Sequence, residues 1–366
     1  MKKEKIKDKS SLIFFVFISA FFSVGIFAEE PVMFVPFTTY IYRQDGRIAE
    51  SPHAYVPAAR LAAPDLDMDI RGATNMMATP DGQLYIANTA RNNILVYDEN
   101  NNLVRILDEF IDHANGSVQQ LRSPEGVFVH ERTGNIFIAD TGNRRILELT
   151  PDFTLIRQIH GPESGVLPEG FIFLPANLVV DSVGRMFILV RNNLMGLVQM
   201  DSGGGFTGFF GAQQVNRTAF DLIREFFMTE EQRERMVQNV PRQYNNMSID
   251  GHNFVWLTTD AIPRSQLNSA TMRRSRESNF MPVRRMNMNG NDVLVRSGVF
   301  PPTGDVVGYV NQPSAFVDIA LRGGVYTVLD RVRNKVFTYD MSGNLLYAFG
   351  GSGMQTGVFS QASAIA

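Results

Sequence analysis

The chain has 366 residues, 44% of them hydrophobic and 19% charged, with 34 Lys and Arg against 37 Asp and Glu. That composition excludes a disordered or collagen-like chain and is enough for a sizeable core. Cysteine is absent, which excludes disulfides, Cys-ligated zinc, iron–sulfur clusters, a Cys nucleophile and a lipoprotein-type lipid anchor.

Residues 1–28 read as an export signal. Lys2, Lys3, Lys5, Lys7 and Lys9 lead into an apolar run from Leu12, and Ala28 precedes Glu29-Glu30. A basic start, an apolar stretch and a small residue before the cut are the parts of a secretory signal. The alternative is an uncleaved anchor, because the apolar stretch approaches the ~20 residues that span a bilayer. Either reading places the rest of the chain outside the cytoplasm and leaves membrane contact open. Without the first ten residues, 29 basic side chains face 35 acidic ones. That balance argues against a nucleic-acid partner, which needs a basic face.

Residues 29–69 form an N-terminal segment in which Thr39-Tyr40-Ile41-Tyr42 has an outer-strand pattern. From residue 70 to 366 one unit recurs: an apolar strand, a Gly turn, a strand with an aromatic, a polar turn and a third strand. The aromatics Tyr85, Phe137, Phe187, Trp256 and Tyr326 mark it at gaps of 52, 50, 69 and 70 residues. Short strands at such periods are the signature of propeller blades, with these aromatics packed between blades. Two insertions account for the long gaps. Residues 212–243 hold Phe220, Ile223 and Phe227 at helical spacing and a capping box at Thr229–Gln232, which predicts a helical insertion. Residues 261–281 read as a polar loop.

The second copy reads Pro124-Glu125-Gly126, then Ile138-Ala139-Asp140-Thr141-Gly142-Asn143-Arg144-Arg145-Ile146. It resembles the NHL repeat, with weaker matches at Asn88 and Asn93 in the first copy and at Asp330 and Lys335 in the fifth. Over most of its mature length the chain also resembles a bacterial exported family of NHL propellers, in which tetratricopeptide-like repeats and a membrane segment can follow. The resemblance is carried by Ala54–Pro57, Thr229–Arg233, Leu329-Asp330 and Tyr339–Gly351. It implies an NHL-type β-propeller and no particular chemistry. Residues 359–366 look like the opening strand of a sixth copy. We therefore expect a six-bladed plan whose last blade is incomplete, shared between residues 38–43 and 359–366.

Candidate site residues come from the repeat. Asp140 and Arg145 flank a tight turn and recur with it, which favours a blade-stabilising role over a substrate-binding one. His53, His113, His130, His160 and His252 show no metal-ligand spacing. Gly-x-Ser-x-Gly is absent, and Ser202-Gly203-Gly204-Gly205 opens no helix, so it is not a phosphate loop. Arg273, Arg274, Arg276, Arg284 and Arg285 are the one basic concentration, a solvated loop or a contact for an anionic glycan or lipid headgroup. On the innermost strands Asn75, Gly126, Asn177 and Asn246 fall at equivalent places, with Glu125 adjacent and Asp318 from the fifth copy. Gluconolactonase- and paraoxonase-like propellers hold a metal on such a ring. By that resemblance Asn75, Asn177, Asn246, Asp318 and Glu125 are candidate ligands for calcium. Two functions stay open: a binding or scaffolding module at the cell envelope with a protein or glycan ligand on a propeller face, and a metal-dependent lactonase- or lyase-like enzyme using the central channel.

Overall fold

The computed structural model describes residues 35–366 apart from 44, 46, 59–60, 62–69, 113–115, 164, 166, 168–169, 212–242, 260–280, 298–302 and 306–313. The expected signal, the helical insertion and the polar loop thus lie outside the described residues, as do His113, Arg273, Arg274 and Arg276.

Strands β1 (Tyr40–Tyr42) and β2 (Ile48–Glu50) form a hairpin. The first blade is β3 (Ala73–Ala78), β4 (Leu84–Asn88), β5 (Asn93–Tyr97) and β6 (Leu103–Leu107). A hairpin of β7 (Glu109–Asp112) and β8 (Ser117–Gln120) follows. The second blade is β9 (Gly126–Val129), β10 (Ile136–Asp140), β11 (Arg145–Leu149) and β12 (Leu155–His160). The third is β13 (Pro175–Val180), β14 (Met186–Val190), β15 (Leu197–Met200) and β16 (Phe206–Phe210). The fourth is β17 (Tyr244–Ile249), β18 (Val255–Thr259) and β19 (Val283–Met286). The fifth is β20 (Phe316–Arg322), β21 (Val325–Asp330), β22 (Lys335–Asp340) and β23 (Leu345–Gly350). Every blade is an antiparallel meander, and the innermost strands β3, β9, β13, β17 and β20 pack in that order.

Blades stack face to face, so their middle strands are buried on both sides. Strands β10, β14 and β18 are accordingly buried at every residue, while the outer strand β6 exposes Val104 and Arg105 to solvent. One apolar cluster joins Tyr85, Ile94 and Val96 of the first blade to Val127, Ile136 and Leu147 of the second. Another joins Trp256 of the fourth to Phe316, Tyr326 and Phe337 of the fifth. The five marker aromatics are all at most 5% exposed, as inter-blade packing requires. Turns are closed by side chains: Asp98, Asp201, Asp250 and Asp340 each accept N–H groups two and four residues on, so the turns form locally.

The blade count corrects the six-bladed expectation: there are five. Strand β1 does not share a blade with residues 359–366. It pairs with β23 through Tyr40 opposite Ala348, making the fifth blade a six-stranded sheet. The reason is the Tyr40 side chain, which is 3% exposed in the cluster with Trp256, Phe316 and Tyr339. Its hydroxyl donates to Asp305 Oδ1 at 2.7 Å and accepts from Lys335 Nζ at 3.0 Å. An outer-strand pattern fits any outer edge, and this pocket selects the edge of β23. The C-terminal segment forms no strand of a sixth blade, but it touches the innermost strands of the first and fifth. Ser363 Oγ donates to Ala73 O on β3 at 2.6 Å, and Ile365 N–H to Asp318 Oδ2 on β20 at 2.7 Å.

Candidate functional site

Four innermost strands carry the same irregularity. The register slips by one residue between Ala73 and Asn75, Pro175 and Asn177, Tyr244 and Asn246, and Phe316 and Asp318. A bulge re-aims the side chain that follows it, and here that side chain is Asn, Asn, Asn or Asp. The sequence-aligned ring thus exists as a set of equivalent positions, with Gly126 at the start of β9 filling the fifth. All four polar members are at most 6% exposed.

Their oxygens are engaged by the backbone. Asn177 Oδ1 accepts Leu178 N–H at 2.8 Å, Asn246 Oδ1 accepts Met247 N–H at 2.7 Å, and Asp318 Oδ1 accepts Ile319 N–H at 2.7 Å. Asn75 Oδ1 instead accepts Val127 N–H at 3.0 Å, in the blade whose ring residue is Gly126. Asn177 Nδ2 donates to Asn246 Oδ1. A hard cation takes six to eight oxygens. Here it would have to displace these bonds, and Asp318 is the one formal charge among the ring's side chains. Among the described residues no three His, Asp or Glu side chains are grouped as a metal set. Glu125 stands beside the ring, not in it: its Oε2 accepts from Arg191 Nε at 2.6 Å. Burial raises the Glu125 carboxyl, opposed by Arg191. Burial also pushes Asp318 up to about 8, its two N–H donors pulling the other way.

The ring divides two chambers, one richer in polar side chains and one richer in apolar ones. On one side a cavity of about 780 Å³ is lined by Glu125, Arg191, Asn192, Gln243, Asn245 and Arg331, with Asn75 and Asn177 at its base. On the other, a cavity of about 240 Å³ is lined by Met76, Phe128, Leu178, Met247 and Ile319, with Asn75, Asn177 and Asp318. The inner strands run from the polar chamber to the apolar one, so residues before the bulge face the first and residues after it the second.

The other candidates are structural. Asp140 is fully buried, accepts Arg122 N–H at 2.7 Å and pairs with Arg145 Nε at 2.7 Å. Asn88 and Asp330 do the same for Arg71 N–H and Ala315 N–H. In the fifth blade Arg333, and not Lys335, pairs with Asp330, while Lys335 joins Tyr40 and Asp305. His130 is held by Thr133 Oγ1 and Asp181 O, His53 by Thr39 Oγ1, and His252 lies in a turn. Arg284 is buried, and Arg285 pairs with Asp250 at 2.7 Å and stacks over Phe254, so these two form no solvated basic patch. Arg191 was invisible in the sequence because the third copy diverges. It occupies the turn place of Thr89 and Thr141, which bond to the next blade at Pro124 O and Pro175 O.

No family model matches the chain, and no curated protein matches it. Among solved structures it is similar to a virginiamycin B lyase from Staphylococcus aureus, a catalytically inactive form with quinupristin, at 12% identity and a TM-score of 0.42, covering 84% of this chain and 75% of that one. It is similar to a protein of unknown function from Bacteroides caccae at 9% identity and a TM-score of 0.46, covering 90% and 97%. The extracellular domain of a putative hybrid two-component system from B. thetaiotaomicron matches at 12% identity and a TM-score of 0.39, covering 80% and 31%. At such identities and TM-scores nothing is carried over from them; the fold stands on this chain's own five blades.

Proposed function

We propose that the chain is an exported NHL-type propeller acting as a binding module at the cell envelope, with a glycan held in the polar chamber. The observation that carries this is the lining of that chamber. Asn192, Gln243, Asn245, Arg191 and Arg331 line it, with Gln243 and Asn245 anchored to Val190 O and Phe316 O and Arg191 to Glu125. Its volume of about 780 Å³ falls in the range of small-molecule sites. Neutral amides and forked cations suit hydroxyl- and carboxylate-bearing sugars. Export rests on residues 1–28, and the acidic body speaks against nucleic acid. The test is a glycan array probed with the purified protein and with Arg191→Ala. Saturable binding of an envelope glycan, weakened about tenfold or more by loss of one charged hydrogen bond, supports the reading. Failure on every glycan, with a single envelope protein captured instead, moves the ligand to the protein class.

The alternative, a calcium-dependent lactonase or lyase, draws on the recurrence of Asn75, Asn177, Asn246 and Asp318 at one bulge position. Metal analysis after dialysis against calcium decides it. A stoichiometric ion lost in the triple Asn→Ala variant would place the enzyme first.

A further inference from the structure

Buried carboxylates in this protein come with a cation. Asp140 has Arg145 at 2.7 Å, Glu148 has Arg157 at 2.6 Å, and Asp181 has Arg185 at 2.6 Å. Asp305 has Lys335 at 3.4 Å, and Asp330 has Arg333 at 3.3 Å. Asp318, 2% exposed, is the exception among the described residues. Its oxygens accept only the neutral N–H groups of Ile319 and Ile365. A charge held in apolar surroundings without a partner is strongly disfavoured. Yet Asp318 does not point into a sealed core. It lines the chamber of about 240 Å³, where Met76, Phe128, Leu178 and Met247 share the wall with Asn177, Ser248, Arg132 and Asp250.

We propose that the apolar chamber is a binding site for a small primary amine with an apolar body, its ammonium group paired with Asp318. The ligand supplies the cation that the protein itself provides to its other buried carboxylates. Methionine side chains are unbranched and adapt to an apolar body, and Phe128 offers a ring face or edge to it. The chamber is smaller than the ~300–1,000 Å³ of drug-sized sites, so it suits a single ring or a short alkyl chain, not a glycan or peptide. It lies across the ring from the polar chamber and is independent of the glycan reading. The other ionisable side chains around it are His130, Glu131, Arg132 and Asp250, and Ala366, with its terminal carboxylate, lines it too. His130 is bonded to Thr133 and Asp181 O, Asp250 is paired with Arg285, and Glu131 and Arg132 are exposed. None of the four is hydrogen-bonded to Asp318.

Calorimetric titration of the full chain with phenethylamine, phenethyl alcohol and phenylacetate tests the site. Above pH 8, phenethylamine should bind at least tenfold more tightly than the alcohol, and phenylacetate should not bind. Asp318→Asn should bring the amine down to the level of the alcohol. Equal affinity for amine and alcohol, no binding of the amine, or an amine preference that survives in Asp318→Asn overturns the proposal. If that variant does not fold, the wild-type comparison decides: the lack of a preference for the amine over its alcohol counterpart is equally fatal. A glycan array on the same sample reads the polar chamber separately.

Discussion

Asn75 Oδ1 accepts the backbone N–H of Val127 at 3.0 Å, a bond from the first blade to the second. It falls where the second blade has Gly126 and so has no carboxamide of its own to offer. In the third, fourth and fifth blades the ring side chain accepts the N–H of the residue that follows it. The first blade therefore covers for the second.

Asn75→Ala should leave the buried Val127 N–H without an acceptor, at a cost of about 1–3 kcal/mol. Denaturant midpoints measure this. A loss no larger than that of Asn100→Ala, an exposed turn position, would count against the bond.

Gly126 cannot be replaced by restoring the missing carboxamide. A Cβ there would lie 2.8 Å from Ala176 O and 2.8 Å from Asn177 Cα, both backbone atoms of the third blade. Gly126→Asn should therefore destabilise by about 1–3 kcal/mol through overpacking, and an Asn75→Ala, Gly126→Asn double variant should not recover stability. Thermal denaturation of the three variants reads the outcome.

Asp140→Ala should be among the most damaging substitutions. It strands the buried Arg145 guanidinium and frees Arg122 N–H, and breaking a buried pair costs about 3–5 kcal/mol. Glu131→Ala, in an exposed turn of the same blade, is the control. Similar unfolding midpoints for the two would contradict the structural role assigned to the pair.

Stability should fall from acid toward mildly basic pH through Asp318. Its folded value of about 8 lies above the ordinary unfolded one of about 3.9. Below about pH 4 both states hold the proton and the contribution is fully present. As pH rises the unfolded chain ionises first, so folding loses ground until the folded carboxyl also ionises near 8. Asp318→Asn should flatten this slope in urea unfolding between pH 5 and 8. An unchanged slope would place the titration elsewhere.

Removing β1 and β2 should expose the edge of β23, and bare edges pair with other chains. A variant lacking residues 38–50 should associate in light scattering while keeping its β-sheet circular dichroism. Tyr40→Phe, which keeps the ring and loses only the hydroxyl bonded to Asp305 and Lys335, should stay dispersed.

Whatever depends on short-range pattern and on the repeat is written in the chain itself. Runs such as Ile136–Asp140 and Met186–Val190 are buried throughout because blades cover both faces. The marker aromatics, the Asp turns and the shared position of Asn75, Asn177, Asn246 and Asp318 follow from residues within one repeat, so the sequence alone displays them. Contacts between residues far apart in the chain set the rest. The outer-strand pattern around Tyr40 is compatible with any blade edge, and Asp305, 265 residues away, completes the pocket that chooses β23. Arg191 meets Glu125 across 66 residues, in a copy too diverged to align by motif. That Asp318 alone lacks a cation among the described buried carboxylates is likewise a fact about its neighbours in space. Charge compensation acts over a few ångströms and has no period along the chain.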